Sequence, residues 1–302
     1  MKEIEAILRA AGSPFRTDAS FRELTTFRIG GPIAFLAEPQ NEAQLQGLLA
    51  ASCEAGIEPF FLGNGSNLLA GDAPYGGLVV KLGGSLRSFR FEGEGVLCGA
   101  GALLPHLSLA ACQKGFKGLE RLSGVPATVG GAVFMNAGCE GQEIGSLVEA
   151  VQGFDPSGRP KRWTRPEMEW GYRASSFGSL PKGTVLTRVV LRLSPGSGDL
   201  LLEKRLEILR LRRGKFPLSL FSAGSFFRGT ELGPAGALLE RAGMKGAREG
   251  DAEISSLHAN FIVNRKRATS GQVLRLADRA AKRVKERFGV DLSPEVRILE
   301  SP

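Results

Sequence analysis

The sequence predicts an α+β protein, with a strand-rich region up to about residue 195 and a second α+β part after it. Short apolar runs typical of strands alternate with helix-like segments in the first region. Pro195-Gly196-Ser197-Gly198 then combines the residues that interrupt regular structure, and helical patterns dominate beyond it. At 302 residues the chain is long enough for more than one hydrophobic core.

The first clear helix of the strand-rich region spans 41–55, with Asn41 as N-cap and Gly56 as its end. Helical spacing gives its predicted inward face as Leu45, Leu48, Leu49 and Cys53. A second helix is expected from about Pro105 to Lys114. Strands are predicted at 59–63, 77–82, 87–93, 95–101, 147–154 and 184–193, with a turn at Asp155-Pro156-Ser157-Gly158.

The part after residue 198 is predicted to contain two long helices. One spans 199–213, begins at Asp199 and ends at Gly214, and its inward face is expected to hold Leu202, Leu206 and Leu209. The other spans 270–288 and is followed by Gly289, with Val273, Leu276, Ala280, Val284 and Phe288 at helical spacing. Residues 258–264 between them predict a strand.

Composition restricts the kinds of function. The formal net charge of +8 favours anionic partners, but aromatic residues are scarce near the basic runs, which argues against nucleic-acid binding. Four scattered cysteines suggest reduced thiols, and two histidines argue against a metal site. The N-terminal MKEIEAILRAAG lacks the apolar run of a signal peptide, and no stretch approaches the roughly 20 apolar residues of a membrane span. We expect a cytoplasmic protein without membrane insertion.

Two glycine-rich loops carry the strongest local signal, LGNGSNLL at 62–69 and LSGVPATVGGAVFMNAGCEG at 122–141. The first lacks the third glycine of a Rossmann fingerprint, and neither ends in the Gly-Lys-Ser/Thr of a P-loop. Glycines that expose backbone N–H groups suit a diphosphate, so the loops predict a phosphate-bearing cofactor held by an uncommon route. The alternative is that they serve only tight turns and bulges.

Further motifs have the order and spacing of a known family. These are TTFRIGGP at 25–32, GYRASSF at 171–177, SAGSFFRG at 222–229 and PEVRILE at 294–300. With the two glycine loops, they resemble the UDP-N-acetylenolpyruvoylglucosamine reductase (MurB) family from about residue 20 to residue 300. Neither of the two tyrosines, Tyr75 and Tyr172, lies in the extra loop of some relatives, so the chain is similar to the shorter sort.

The resemblance implies a two-part FAD-binding domain of the vanillyl-alcohol-oxidase (PCMH) type and a C-terminal α+β substrate-binding domain. The expected division is 1–80 for the first FAD-binding subdomain, 81–195 for the second and 196–290 for the substrate domain. Residues 291–302 are expected to pack back on the first subdomain.

The activity that the resemblance implies is NADPH-dependent, FAD-mediated reduction of UDP-N-acetylglucosamine enolpyruvate to UDP-N-acetylmuramate, for peptidoglycan. The expected partners are the UDP-sugar and NADPH, and we expect a monomer. The alternative is an FAD-dependent oxidase or dehydrogenase acting on another small substrate. Only Gly229-Thr230 favours it, because relatives carry Asn-Pro or Arg-Pro at this point.

Three catalytic residues are implied by the resemblance. Arg173 would hold the substrate carboxylate, since a guanidinium binds it in bidentate fashion and stays charged. Ser225 would donate a proton, and a protonated Glu295 would hydrogen-bond the developing enolate. Without the family match, an arginine, serine or glutamate in such contexts is more often a surface cation, a turn residue or a surface carboxylate.

The remaining expected site residues bind cofactor or substrate. For FAD they are Phe27, Gly30, Gly63, Asn64, Gly65, Ser66, Asn67, Gly124, Pro126, Gly130, Gly131, Asn136, Gly138 and Ile144. For the substrate they are Tyr172, Lys215, Arg228 and His258. Phe27 and Ile144 belong either to the core or to the flavin site, and His258 is at least as often structural.

Overall fold

The computed structural model describes residues 2–300, so that Met1 of the predicted first subdomain and residues 301–302 of the predicted packing segment lie outside it. The chain forms two compact units. Unit 1 comprises Met1–Thr17, Ala34–Asn64 and Gly77–Arg210, and unit 2 comprises Asp18–Ile33, Gly65–Gly76 and Leu211–Pro302. The predicted three-part division at residues 80, 195 and 290 stays a prediction.

Helices and strands are intermixed throughout. Within residues 2–300, the α-helices are Lys2–Ala10 (α1), Phe21–Leu24 (α2), Glu42–Glu54 (α3), Leu104–Gln113 (α4), Val129–Phe134 (α5), Gly198–Lys215 (α6), Ala235–Arg241 (α7) and Ser270–Phe288 (α8). The strands are Phe15–Arg16 (β1), Ile33–Ala37 (β2), Phe60–Phe61 (β3), Leu68–Ala70 (β4), Tyr75–Val80 (β5), Phe89–Glu92 (β6), Gly95–Gly99 (β7), Phe116–Lys117 (β8), Gly138–Cys139 (β9), Gln142–Glu143 (β10), Val148–Phe154 (β11), Pro160–Thr164 (β12), Trp170–Gly171 (β13), Ala174–Ser175 (β14), Val185–Arg192 (β15), Ser194–Pro195 (β16), Phe221–Ser225 (β17), Arg248–Glu249 (β18), Ala252–Ile254 (β19), Phe261–Asn264 (β20) and Arg297–Leu299 (β21).

Unit 1 is built mainly on two sheets. The larger is antiparallel in the order β12-β11-β15-β7-β6, and β15 alternates buried and partly exposed residues along most of its length, as expected of a sheet with one face on a core. The buried Val189 and Leu191 of β15 share a core with Val129 and Val133 of α5. The smaller sheet, in the order β1-β2-β5-β3, shares a second core with α1 and α3.

Unit 2 contains the antiparallel sheet β17-β20-β19-β18 and the parallel pair β21-β4. Helix α8 buries Val273, Leu276, Ala280 and Val284 in the same core as the sheet. A capping box starts this helix, in which Thr269 accepts from the Gln272 N–H and the Gln272 side chain accepts from the Thr269 N–H. Gly289, at φ 74°, ends it in the left-handed conformation that glycine adopts without strain.

Several predicted elements are confirmed, and one inward face is partly wrong. Helix α3 begins after Asn41, whose side chain accepts from the Gln44 N–H at 3.0 Å, and α8 has the predicted bounds. Cys53, however, is exposed, and the neighbouring Ser52 is buried instead. No helix within residues 2–300 is long and apolar enough to cross a membrane.

The face predicted for the helix at 199–213 is wrong. Helix α6 begins at Gly198 and continues through Gly214 to Lys215, so that Asp199 lies in its first turn. The buried apolar residues are Leu201 and Ile208, whereas Leu206 is 48% exposed. The Nε atoms of Arg205 and Arg212 are buried on the same stripe. Arginine stems therefore occupy inward positions that a hydropathy pattern assigns to solvent.

Candidate active site

In unit 1 the two glycine loops meet. The Asn64 side chain donates to the Pro126 carbonyl at 2.7 Å. A Cβ added to Gly63 would lie 2.8 Å from the Thr128 hydroxyl oxygen, so a side chain there would push the loops apart. The first loop also leaves donors available, since within residues 2–300 the backbone N–H groups of Gly63, Asn64, Gly65 and Ser66 have no protein acceptor. Such free N–H groups are the donors that a diphosphate requires.

Contrary to the expectation from the sequence, Gly130 and Gly131 of the second loop do not expose their backbone N–H groups. The Gly130 N–H donates to the Ala100 carbonyl at 2.8 Å, and the Gly131 N–H donates to the Thr128 hydroxyl at 3.2 Å. A Cβ on Gly130 would lie 2.8 Å from the Ala100 Cβ. Close packing therefore favours glycine at position 130, and the N–H groups of both residues are already used.

Asn136 is fully buried, and its side chain is hydrogen-bonded within the protein. Its Nδ2 donates to Glu143 Oε2 and to the Gly171 carbonyl, each at 2.9 Å, and its Oδ1 accepts from the Gly145 N–H at 3.1 Å. These bonds use both amide hydrogens, so the side chain has no donor left for a cofactor. The observed role is to join three segments of unit 1.

Tyr172 and Arg173 form the turn of the hairpin between β13 and β14. Arg173 has a φ of 52°, and a non-glycine residue in this region carries strain of about 1–3 kcal/mol. Its guanidinium lies 5.3 Å from the Tyr172 ring centre and donates to the Gly138 carbonyl at 3.4 Å. Tyr172 itself is 59% exposed. The predicted substrate and catalytic residues of unit 1 thus share one tight turn.

In unit 2 the rest of the first loop lies beside the serine motif. The Thr26 N–H donates to the Gly65 carbonyl at 3.2 Å, and its hydroxyl donates to the Ser222 carbonyl at 2.8 Å. A Cβ on Gly224 would lie 4.0 Å from the Ser66 carbonyl oxygen. Thr26 therefore ties the predicted cofactor loop to strand β17, which ends at Ser225.

A bulge and the C-terminal segment place Ser225 near Glu295. On β17 the register shifts between Ser222 and Ser225, and Gly224 there has a φ of 81°. Bulges commonly re-aim a side chain next to an active site. The Glu295 N–H donates to the carbonyl of Phe226, the residue after Ser225, at 2.8 Å. Asn67 Nδ2 donates to the Glu295 carbonyl at 3.2 Å, so within unit 2 the Glu295 backbone is bonded both to Asn67 and to the residue that follows Ser225.

Asn260 supports the segment that follows Ser225. Its side chain accepts from the Phe227 N–H at 2.9 Å and donates to the Phe227 carbonyl at 2.8 Å, and its own carbonyl accepts from the Phe226 N–H at 2.7 Å. Phe226 and Phe227 are both buried. The backbone between the predicted proton donor and Arg228 is thereby fixed on one side by Asn260 and on the other by Glu295.

The predicted substrate residues of unit 2 have different surroundings. His258 lies 5.1 Å from the Phe216 ring and 5.2 Å from the Phe261 ring, and its Nδ1 accepts from the Asn260 N–H at 3.3 Å. Burial, followed by the charges of Lys215 and Lys245, lowers the pKa of His258 from its usual 6.5. Lys215 and Arg228 are exposed at the surface. A neutral, packed histidine fits the structural role that the sequence left open.

The other predicted cofactor residues lie in or near the two cores. Phe27 and Ile144 are fully buried, in unit 2 and unit 1 respectively. Gly30 has a φ of 125°, and a Cβ there would lie 2.8 Å from the Ala70 Cβ. Gly138 faces the Arg173 guanidinium, and Gly124 is partly exposed. The part of these five residues in cofactor binding stays a prediction.

Comparison with known proteins identifies the family. Residues 33–162 match a FAD binding domain, and residues 216–299 match the C-terminal domain of UDP-N-acetylenolpyruvoylglucosamine reductase. The chain is 40% identical over 280 residues to the UDP-N-acetylenolpyruvoylglucosamine reductase of Synechococcus sp. (strain JA-3-3Ab), covering 92% of this chain and 89% of that protein. This chain belongs to the UDP-N-acetylenolpyruvoylglucosamine reductase family.

A further curated relative and a solved structure support the same family. The protein of that name from Moorella thermoacetica is 41% identical over 274 residues, covering 91% of this chain and 89% of the relative. The crystal structure of MurB from Thermus caldophilus has a TM-score of 0.81 at 35% identity and covers 95% of this chain and 98% of its own. The predicted α+β fold with an FAD-binding part and a C-terminal part is confirmed, as are the enzyme class, oxidoreductase, and the FAD cofactor.

The residues present fit FAD. The available N–H groups of the 63–66 segment and the close approach of Gly63 to Thr128 provide donors without side chains in the way. The FAD-domain match contains both glycine loops, and the C-terminal match contains Ser225, His258 and Glu295. Tyr172, Arg173 and Lys215 lie outside both matched ranges.

The sequence did not reveal the residues that hold these motifs in place. Thr26 lies in TTFRIGGP and Ser175 in GYRASSF, but the spacing of these motifs predicts no contact for either residue. Asn260 sits in HANF, where a polar residue between two apolar ones reads as part of a strand. Thr26, Ser175 and Asn260 each bond a backbone group that is distant in the sequence, and such a pairing can be recognised only once the fold is known.

Proposed function

We propose that the reductase converts UDP-N-acetylglucosamine enolpyruvate to UDP-N-acetylmuramate for peptidoglycan synthesis, with NADPH as electron donor. When bound, FAD would accept a hydride from NADPH and would supply the hydride that adds to the terminal carbon of the enolpyruvyl double bond. The family membership supports this reaction, and the formal net charge of +8 suits anionic substrates. We further propose that the enzyme is a cytoplasmic monomer.

The residues of this chain would handle the charge and the proton that the addition requires. Hydride addition places negative charge on the neighbouring carbon and its carboxylate. Arg173 holds the carboxylate, and Glu295 in its protonated form donates a hydrogen bond to the developing enolate. Ser225 then gives its hydroxyl proton to that carbon, which completes the saturated lactyl ether. A serine hydroxyl is a weak acid, so it must be positioned closely.

The observation that carries the proposal is the adjacency of Ser225 and Glu295 in unit 2. The Phe226 carbonyl, one residue from Ser225, accepts from the Glu295 N–H at 2.8 Å, and the Asn67 side chain donates to the Glu295 carbonyl. The two residues expected to act on one enolate therefore lie on backbone segments that are hydrogen-bonded to each other, and Asn67 of the predicted cofactor loop bonds one of them. Arg173, in unit 1, has a positive φ, and residues strained in this way cluster at active sites, which supports its proposed role.

Anaerobic absorption spectroscopy of the purified holoenzyme tests the reaction. We expect NADPH to bleach the flavin bands and UDP-N-acetylglucosamine enolpyruvate to restore them. A flavin that stays reduced when the enolpyruvyl sugar is added would show that the substrate assignment is wrong. A protein that remains colourless after incubation with FAD would contradict the cofactor assignment as well.

The Ser225→Ala variant tests the role of the serine. Flavin reduction by NADPH should keep its wild-type rate, because no proton from Ser225 enters that half-reaction. Reoxidation by the sugar should slow by about 100-fold or more, the usual range for a lost general acid. Ser219→Ala, at an exposed serine shortly before the same strand, is the control. A variant with wild-type reoxidation would exclude Ser225 as the donor.

A further inference from the structure

The turn that carries Arg173 is tied on both sides to one segment at the end of α5. Before the turn, the Gly171 carbonyl accepts from Asn136 Nδ2 at 2.9 Å. After it, the Ser175 hydroxyl donates to the Phe134 carbonyl at 2.7 Å. Phe134 and Asn136 are two residues apart, so a single short segment fixes both strands of the hairpin.

The anchoring segment is itself restrained. Asn136 is fully buried, and besides Gly171 its side chain bonds Glu143 and the Gly145 N–H. Asn136 also has a positive φ, 43°, which few side chains other than asparagine and glycine tolerate. Left-handed residues therefore occur both in the turn and in the segment that anchors it.

The anchored turn determines where the Arg173 guanidinium can lie. A residue at φ 52° relaxes to an extended conformation unless its surroundings hold it, and that change would swing the side chain away. As anchored, the guanidinium donates to the Gly138 carbonyl, and a Cβ on Gly138 would lie 3.2 Å from Arg173 Nη1. Gly138 is in the same loop as Asn136, so anchor and guanidinium belong to one local structure.

We propose that Ser175 and Asn136 are positioning residues for the reductase, holding the Gly171–Ala174 turn so that Arg173 presents its guanidinium to the substrate carboxylate. This rests on the proposed role of Arg173. Neither residue touches the reacting atoms. Their effect passes through the arginine, and therefore appears only in the half-reaction that involves the enolpyruvyl sugar.

The experiment measures both half-reactions of the holoenzyme anaerobically for Ser175→Ala, with Ser179→Ala as the control. Ser179 is exposed, and its hydroxyl donates to the nearby Ser176 carbonyl. We expect Ser175→Ala to reduce the rate of reoxidation by UDP-N-acetylglucosamine enolpyruvate about ten- to 100-fold, the range for a small misplacement of a reacting group. Flavin reduction by NADPH should be unchanged, and Ser175→Thr, which retains the hydroxyl, should recover most of the rate.

A double-mutant cycle separates positioning from general damage. In the Arg173→Ala background, Ser175→Ala should cause no further loss of reoxidation rate, because the residue through which it acts is gone. Asn136→Gly, which tolerates the positive φ, removes the other tie and should slow the same half-reaction once corrected for bound FAD.

Three results would overturn the proposal. Full reoxidation activity in Ser175→Ala would do so, as would an equal loss in the presence and absence of Arg173. Wild-type reoxidation in Arg173→Ala would overturn it together with the assigned role of the arginine. Failure of the proposed reaction is distinguishable, because the wild-type flavin would then not be reoxidised by the enolpyruvyl sugar.

Discussion

Replacing Asn260 should damage both the stability of unit 2 and the sugar half-reaction. The side chain of Asn260 exchanges two hydrogen bonds with the backbone of Phe227, at 2.8 and 2.9 Å. Asn260→Ala leaves the N–H and carbonyl of a residue that is 3% exposed without these partners. Each such buried group costs about 1–3 kcal/mol, so the free energy of unfolding should fall by about 2–6 kcal/mol.

The assay combines thermal unfolding with the two half-reactions. A loss of that size corresponds to roughly 5–20 °C in the unfolding midpoint for a chain of this length. Since Phe227 lies two residues after Ser225, reoxidation by the enolpyruvyl sugar should slow while flavin reduction by NADPH is retained. Asn260→Asp keeps the acceptor for the Phe227 N–H but removes the donor to its carbonyl, and should not rescue either property.

Asn41→Ala provides the matched control, because Asn41 is an exposed N-cap in unit 1. It should cost about 1 kcal/mol and leave reoxidation unchanged. The reasoning would be refuted if Asn260→Ala melted within 2 °C of wild type, a tolerance set at about the shift for a loss of 1 kcal/mol. It would also be refuted if Asn260→Ala and Asn41→Ala slowed reoxidation equally, since the loss would then reflect stability alone.

Three further predictions follow from burial and backbone geometry. Burial lowers the pKa of His258, so below about pH 6.5 the unfolded chain binds a proton at this residue more readily than the native state does. The free energy of unfolding should therefore fall as the pH drops below about 6.5, and chemical denaturation of His258→Gln should show a smaller fall. Gly84→Ala should lower the unfolding midpoint far more than Gly12→Ala, because both have a left-handed φ, 46° and 60°, but only a Cβ on Gly84 would meet close neighbours, in the Gln40 backbone; equal shifts would show that strain, not contact, matters. Thiol titration of the native protein at pH 8 should detect exposed Cys53 quickly and not Cys98, whose pKa burial raises to about 12, and a fast phase surviving in Cys53→Ala would contradict this.

The long helix α8 could be predicted well from sequence because its signals are local and agree. Its apolar residues recur at helical spacing, and Gly289 ends it where the pattern stops. Helix α6 shows the limit of such reasoning. Its inward stripe includes Arg205 and Arg212, whose Nε atoms are buried although both side chains are charged. A hydropathy pattern that counts arginine as polar therefore selects the wrong face of the helix.

The residues of the candidate site could be predicted from the sequence, but the residues that hold them in place could not. The glycine loops stand out in the sequence because glycine is unusual inside regular structure, whereas the Gly-Tyr-Arg and Gly-Ser-Phe-Phe motifs received a role only from the family resemblance. The partners that hold them do not stand out. Asn260 and Ser175 act on backbone groups 33 and 41 residues away, and no local pattern encodes such a pairing.

The alternation of the chain between the two units has a consequence for biosynthesis. Strand β21, at Arg297–Leu299, pairs with β4, at Leu68–Ala70, and Phe27, Ile29 and Leu69 belong to a core otherwise formed by residues after 222. While the ribosome is still making the chain, these early apolar residues have no partners to cover them. This core cannot form until the residues after 222 have been synthesised, so the nascent chain exposes these apolar side chains, and exposed apolar surface makes partly folded chains prone to aggregate.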